Sequence, residues 1–228
     1  MRKYYTRPCN FYYGNYAKQL VKIKKALPLA GNNNISFDQL EIFERKKGKN
    51  TKSYLYSINE IKKLNKEVKN IVNTDLKKIT SKRKSISKIK FDNPHIMGVL
   101  NITPDSFSDG GLFFDESEAY KQGESMINGG ASIIDIGGES TRPGSKLVEE
   151  KEEWNRVENT IKKFKKNFPS IILSLDTRKS NVMKKGIETG VNIINDVSGL
   201  NFDKKSFNLI NSKKTPFILH HMQGTPDT

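Results

Sequence analysis

The chain holds one cysteine, Cys9, in 228 residues. An internal disulfide is excluded, and a reducing compartment is the expectation. Long apolar runs are also missing. No stretch approaches the roughly 20 residues that cross a bilayer, and Met1-Arg2-Lys3-Tyr4-Tyr5-Thr6-Arg7-Pro8 contains no run of signal-peptide length. A cytoplasmic protein without a membrane partner is therefore expected. There is no Gly-x-Gly-x-x-Gly fingerprint for a dinucleotide and no Gly-x-Ser-x-Gly elbow, and Cys9 lies far from every polar cluster, so nucleophilic catalysis has no support. Histidine is scarce, at three residues. His220 and His221 would point to opposite faces of a strand, and no carboxylate or cysteine stands at metal-site spacing beside them, which argues against a chelate. One of the two is expected to be a buried hydrogen-bonding residue. No internal repeat is evident.

Positive charge is plentiful, and it is unevenly spread. Residues 1–92 hold 23 Lys and Arg against 7 Asp and Glu, whereas residues 93–228 hold 17 against 18, so the whole excess of +15 lies in the first part. Ile58, Ile61, Leu64, Val68, Ile71, Val72, Leu76 and Ile79 follow helical spacing with lysines opposite, which predicts a basic amphipathic helix followed by a flexible linker over 80–90. Clustered lysine could draw RNA or an anionic membrane surface. A solvated helix face is the better reading, because lysines outnumber arginines and no nucleic-acid module is present. Nucleic acid is therefore not the expected partner. Residues 1–57 read as a small, partly β extension with turns at Gly14, Gly31–Asn34 and Lys47–Asn50. Residues 58–92 are the basic helix and linker, and residues 93–228 form a third region of different pattern.

That region alternates short apolar runs with amphipathic stretches. His95–Leu100, Ser132–Ile136, Ile171–Leu175, Val191–Ile194 and Phe217–Leu219 are strand-length runs, each followed by polar residues. Between them, Trp154, Val157, Ile161, Phe164 and Phe168 mark a helix over 149–168, and Glu116–Asn128, Lys179–Thr189 and Asp203–Ser212 read as further helices. Strict alternation predicts parallel strands with right-handed crossovers. Polar strand ends at every step favour a (β/α)8 TIM-type barrel over an open doubly wound sheet, with only the first five strands present. Taken singly, the polar tips have plain readings: Asp105 and Asp109 as turn residues, Arg142 as a surface arginine, Asp176 as a helix cap, Asn195 as a turn residue and Met222 as core.

Together they match a family. Gly98-Val99-Leu100-Asn101-Ile102-Thr103-Pro104-Asp105-Ser106-Phe107-Ser108-Asp109-Gly110-Gly111 and Asp135-Ile136-Gly137-Gly138-Glu139-Ser140-Thr141-Arg142-Pro143-Gly144 closely resemble the two signature loops of the dihydropteroate synthases. Leu175-Asp176-Thr177, Asn195-Asp196-Val197-Ser198 and His221-Met222-Gln223-Gly224-Thr225-Pro226 extend the resemblance from about residue 94 to the last. It implies a pterin-binding barrel over 93–228 that joins p-aminobenzoate to 6-hydroxymethyl-7,8-dihydropterin diphosphate with release of pyrophosphate. It also implies roles. Asp176 and Asn195 would pair with the pterin edge, with Val197 and Met222 packed on the ring. Asn101 would contact the diphosphate and Mg2+. Asp109 would stabilise a cationic pterin, and Thr141 and Arg142 would hold p-aminobenzoate and pyrophosphate, in a pocket lined by Ser106, Phe107 and Pro143. A homodimer is the assembly it implies.

Such a barrel needs three more strands than the pattern supplies, and the resemblance implies further site residues there: a second aspartate, a lysine and an Arg-x-His pair. The expectation is a C-terminally truncated synthase, aggregation-prone and inactive alone. A folate-dependent methyltransferase is the rival enzyme, disfavoured because methyl transfer leaves no pyrophosphate to hold. A noncatalytic pterin-binding or scaffold fragment is the rival from another class.

Overall fold

In a computed structural model, residues 3–103, 116–140 and 145–221 are described. The chain divides into two compact units, Met1–Lys84 and Ser85–Thr228.

In the first unit, β1 (Tyr4–Tyr13) pairs antiparallel with β3 (Asn32–Glu44), which also takes β2 (Leu27–Leu29) and β4 (Lys52–Ser57). Two helices, α1 (Gly14–Lys22) and α2 (Lys66–Thr80), accompany the sheet. The basic helix expected from Ile58 onward thus begins eight residues later. Asn65 stops it from starting sooner, because its side chain accepts from the Val68 amide at 3.0 Å and caps the first turn. Ile61 sits instead in a 3-10 turn, Glu60–Lys63. The apolar stripe is still used. Ile61, Val68 and Val72 are buried with Tyr4, Phe37, Leu40 and Ile42, while Ile58, Leu64, Ile71, Leu76 and Ile79 pack around them. Lys66, Lys77 and Lys78 face outward. The helix therefore belongs with the extension, as the cover of its sheet.

The start of the second unit departs from the expected linker. Residues 80–90 were expected to be a flexible linker, yet Ile86 and Ile89 form a β-bridge, and Ile89 is buried against Ile133, Ile172 and Ile193. Ile89 gives the stretch apolar area to bury, which a freely solvated linker lacks, while Ile86 stays exposed.

Five parallel strands follow in the order β5 (Met97–Asn101), β6 (Ile133–Gly137), β7 (Ile172–Asp176), β8 (Ile193–Asp196) and β9 (Phe217–Leu219). Between successive strands lie α3 (Glu116–Asn128), α4 (Glu150–Asn167), α5 (Ser180–Thr189) and α6 (Ser206–Lys213). Spatial order equals chain order, as in the first five strands of a (β/α) barrel. Period-two alternation sorts the side chains. Leu100, Ile134, Ile136, Leu173, Leu175 and Ile194 point outward and are fully buried under Trp154, Val157, Ile161 and Phe164 of α4 and Val182 and Met183 of α5. Each such side chain contributes about 1.5–3 kcal/mol. Ile133, Ile172 and Ile193 point inward and are buried with Ile89, and Ile218 packs against them. Gly138 lets α4 approach: a methyl there would lie 2.8 Å from the Glu153 carbonyl oxygen.

Candidate functional site

Toward the C-terminal ends of the strands the inner face carries a polar set. Asp135 and Ser174 are neighbours in register, and one pleat further on stand Asn101, Gly137, Asp176 and Asn195, each paired with the next across the sheet. The sequence placed three of these four at strand ends, and the parallel register brings them to one level. Gly137 keeps the space between them open. A methyl on it would sit 3.4 Å from Asn101 Oδ1 and 3.7 Å from Asp176 Oδ2.

Asp176 is not the helix cap that its position before α5 allowed. The helix begins at Ser180, whose amide donates to Asp203 at 2.9 Å. Asp176 Oδ1 is buried and has no hydrogen-bond partner among the described residues. Burial, followed by the nearby negative charges of Asp135, Glu153 and Asp196, pushes its carboxyl up to about 7, with Arg178 pulling the other way. An unmet buried acceptor costs on the order of 1–3 kcal/mol until something donates to it. A donor-rich ligand edge would relieve that cost.

Asn195 is 6% exposed and is no turn residue. Its Nδ2 donates to Asp135 Oδ2 at 2.8 Å, and its Oδ1 lies 2.8 Å from His220 Nε2. The turn after β8 is built by its neighbour Asp196, which accepts from the Ser198 and Leu200 amides at 2.8 and 2.9 Å. Val197 enters that turn half-buried. The expectation of a buried histidine is met only in its hydrogen bond, since His220 and His221 are both exposed.

Sequence reasoning passed over Asp135, which is 3% exposed with a second oxygen, Oδ1, also unpartnered among the described residues. Burial pushes its carboxyl up against the opposing pull of Ser174, Asn195 and His220. The signal was a carboxylate inside the otherwise apolar run Ile133–Gly137, two residues below the strand end and hence on the same face. It also passed over an ion cluster at the base of the second polar loop. Lys179 Nζ pairs with Glu153 and, at 3.1 Å, with Glu139, which also takes Arg178 at 3.1 Å and the Val148 amide at 3.0 Å. Burial pushes Glu153 up. Burial also works against Glu139, but the Val148 amide, Lys179 and Arg178 hold it below the ordinary range.

Ser106, Phe107, Asp109, Thr141, Arg142, Pro143 and Met222 lie outside the described residues. Among those described, no group of three or more His, Cys, Asp or Glu could hold a metal ion. The amide oxygen of Asn101 is nonetheless a hard donor of the kind Mg2+ takes alongside phosphate oxygens and waters.

Residues 97–228 match the family model described as pterin binding enzyme. A dihydropteroate synthase of Clostridium beijerinckii is 48% identical over 130 residues, covering 57% of this chain and 48% of that protein. Among solved structures, a dihydropteroate synthase from Clostridium difficile, determined in the presence of pteroic acid, is 41% identical with a TM-score of 0.55, covering 63% of this chain and 53% of that one. The Xanthomonas albilineans enzyme with 4-aminobenzoic acid is 38% identical with a TM-score of 0.56, covering 59% and 49%. The chain spans about half the length of each of these three proteins.

Proposed function

Because the chain belongs to the pterin-binding enzyme family, we propose that its second unit serves dihydropteroate synthesis, the condensation of 6-hydroxymethyl-7,8-dihydropterin diphosphate with p-aminobenzoate. One observation carries the reading: an Asp176 oxygen, unpartnered among the described residues, stands level with the Asn195 carboxamide and Asn101 on the inner face of a parallel sheet. A pterin's amide and amino edge offers the donors that Asp176 lacks. Asn195 offers both a donor and an acceptor beside it. Val197 and Met222 are proposed to pack on the ring, where a thioether suits an irregular gap.

At the diphosphate, Asn101 would hold Mg2+ together with phosphate oxygens. The ion, when bound, neutralises charge that builds on the leaving pyrophosphate. The carbon–oxygen bond breaks, the arylamine nitrogen bonds to the methylene carbon, and the amine proton is lost. Asp109 is proposed to stabilise positive charge on the pterin as that bond breaks. Thr141 and Arg142, with Ser106, Phe107 and Pro143, would take p-aminobenzoate and pyrophosphate, the guanidinium through its planar fork. Support for the two substrates comes from the ligands of the similar enzymes, pteroic acid in one and 4-aminobenzoic acid in the other. A cytoplasmic, homodimeric enzyme completes the proposal.

Titration of the chain with 6-hydroxymethylpterin, followed by ring fluorescence, is the direct test. Saturable binding should weaken at least about tenfold in Asp176→Ala, from the lost buried hydrogen bonds. Equal binding by both proteins would remove Asp176 from the site. Pyrophosphate released in step with dihydropteroate separates this reading from methyl transfer, which releases none.

A further inference from the structure

The carboxamide of Asn195 is held at both ends. Its nitrogen donates to Asp135 at 2.8 Å and its oxygen faces His220 Nε2 at 2.8 Å. An amide reversed end for end would occupy the same space, so something must choose between the two directions. His220 cannot choose. A neutral imidazole nitrogen donates in one tautomer and accepts in the other, so it would follow either orientation. Asp135 can choose when it is ionised, because a carboxylate only accepts and the amide nitrogen must then face it.

We infer that Asp135 is a positioning residue that sets the direction of the Asn195 carboxamide, and through it the donor and acceptor pattern offered to the ligand. The inference rests on the pterin reading of the site. With the nitrogen end held by Asp135, one amide hydrogen remains on that side and one oxygen lone pair remains on the side of His220. A ring edge must therefore present an acceptor toward the Asp135 side and a donor toward the His220 side. An edge of reversed polarity would place donor against donor and acceptor against acceptor, leaving buried groups unmet. Asp135 performs this from beneath. It is 3% exposed, one pleat below the level of Asn101, Asp176 and Asn195. His220 becomes a reporter: facing an amide oxygen, it carries its proton on Nε2.

Nitrogen-15 NMR of the imidazole of His220 in the whole chain at pH 8 reads the tautomer, and pterin titration of the same samples reads the consequence. The wild-type chain should show the Nε2–H form. Asp135→Asn places an amide opposite an amide, so either direction satisfies the pair. The tautomer of His220 should then become mixed, and pterin affinity should fall on the order of tenfold. An Nδ1–H tautomer in the wild-type chain would overturn the inference before any variant is made, and so would a tautomer unchanged by Asp135→Asn. If the tautomer shifts while pterin affinity does not, Asp135 orients the amide but the ring does not read it. That outcome contradicts the pterin assignment of Asn195 and leaves the positioning role standing.

Discussion

At the scale of single residues, Asp176 links stability to function with opposite signs. Its carboxyl is pushed up to about 7, well above the 3.8 of a free aspartate. Between those values the folded chain keeps a proton that the unfolded chain has given up. Stability should therefore fall as pH rises from about 4 to 7 and level off above, by an amount on the order of a few kcal/mol. Urea unfolding at pH 5 and pH 8 checks this, and Asp176→Asn should flatten the difference. Ligand binding should run the other way, because a donor edge favours the ionised form. Pterin affinity should rise between pH 6 and pH 8 and become insensitive in Asp176→Asn. Asp176 and Asn195 were legible as polar residues at the ends of apolar runs. Their partners were not: the hydrogen bond of Asn195 to Asp135 joins residues 60 apart in sequence, and only the register of three strands brings them together.

Elements were easier to read than their limits. The strands β5 to β9 and helices α3 to α6 fall within about three residues of the runs that announced them, because parallel strands buried on both faces are apolar and the crossover helices keep a 3.6 period. The basic helix failed at its start, where eight apolar positions fit one period and a single capping asparagine decided the boundary. Packing between elements was invisible. Gly138 appeared only as part of a glycine pair, yet it is where α4 comes within 2.8 Å of where a methyl would stand. Gly138→Ala must push the Glu153 backbone away and disturb the Lys179 ion cluster, at a cost of about 1–3 kcal/mol. A lower urea midpoint with unchanged m-value would show it. Lys179→Met should be worse than a surface lysine change, because it leaves Glu153 and Glu139 facing each other without their shared cation. Thermal unfolding of the variant beside Lys185→Met gives the comparison.

For the molecule as a whole, composition separated two regions by charge, and the contacts separate two units with cores of their own. Residues 1–84 contain a sheet and two helices, with one apolar cluster between the sheet and α2. Expressed alone they should unfold cooperatively in urea, and a gradual, non-cooperative loss of circular dichroism would contradict that. What the first unit does was not legible, since its lysines line the outer side of a helix and name no ligand. The two sheets also differ in how far apart along the chain their partners lie. In the first, β3 meets β4 directly across a short turn, whereas each neighbouring pair in the second is joined through a helix. Chains grow at about 5–20 residues per second, while antiparallel hairpins close in microseconds. The first unit can therefore finish before its companion's third parallel strand has been made, so that on the ribosome the slower sheet assembles behind an already folded leader.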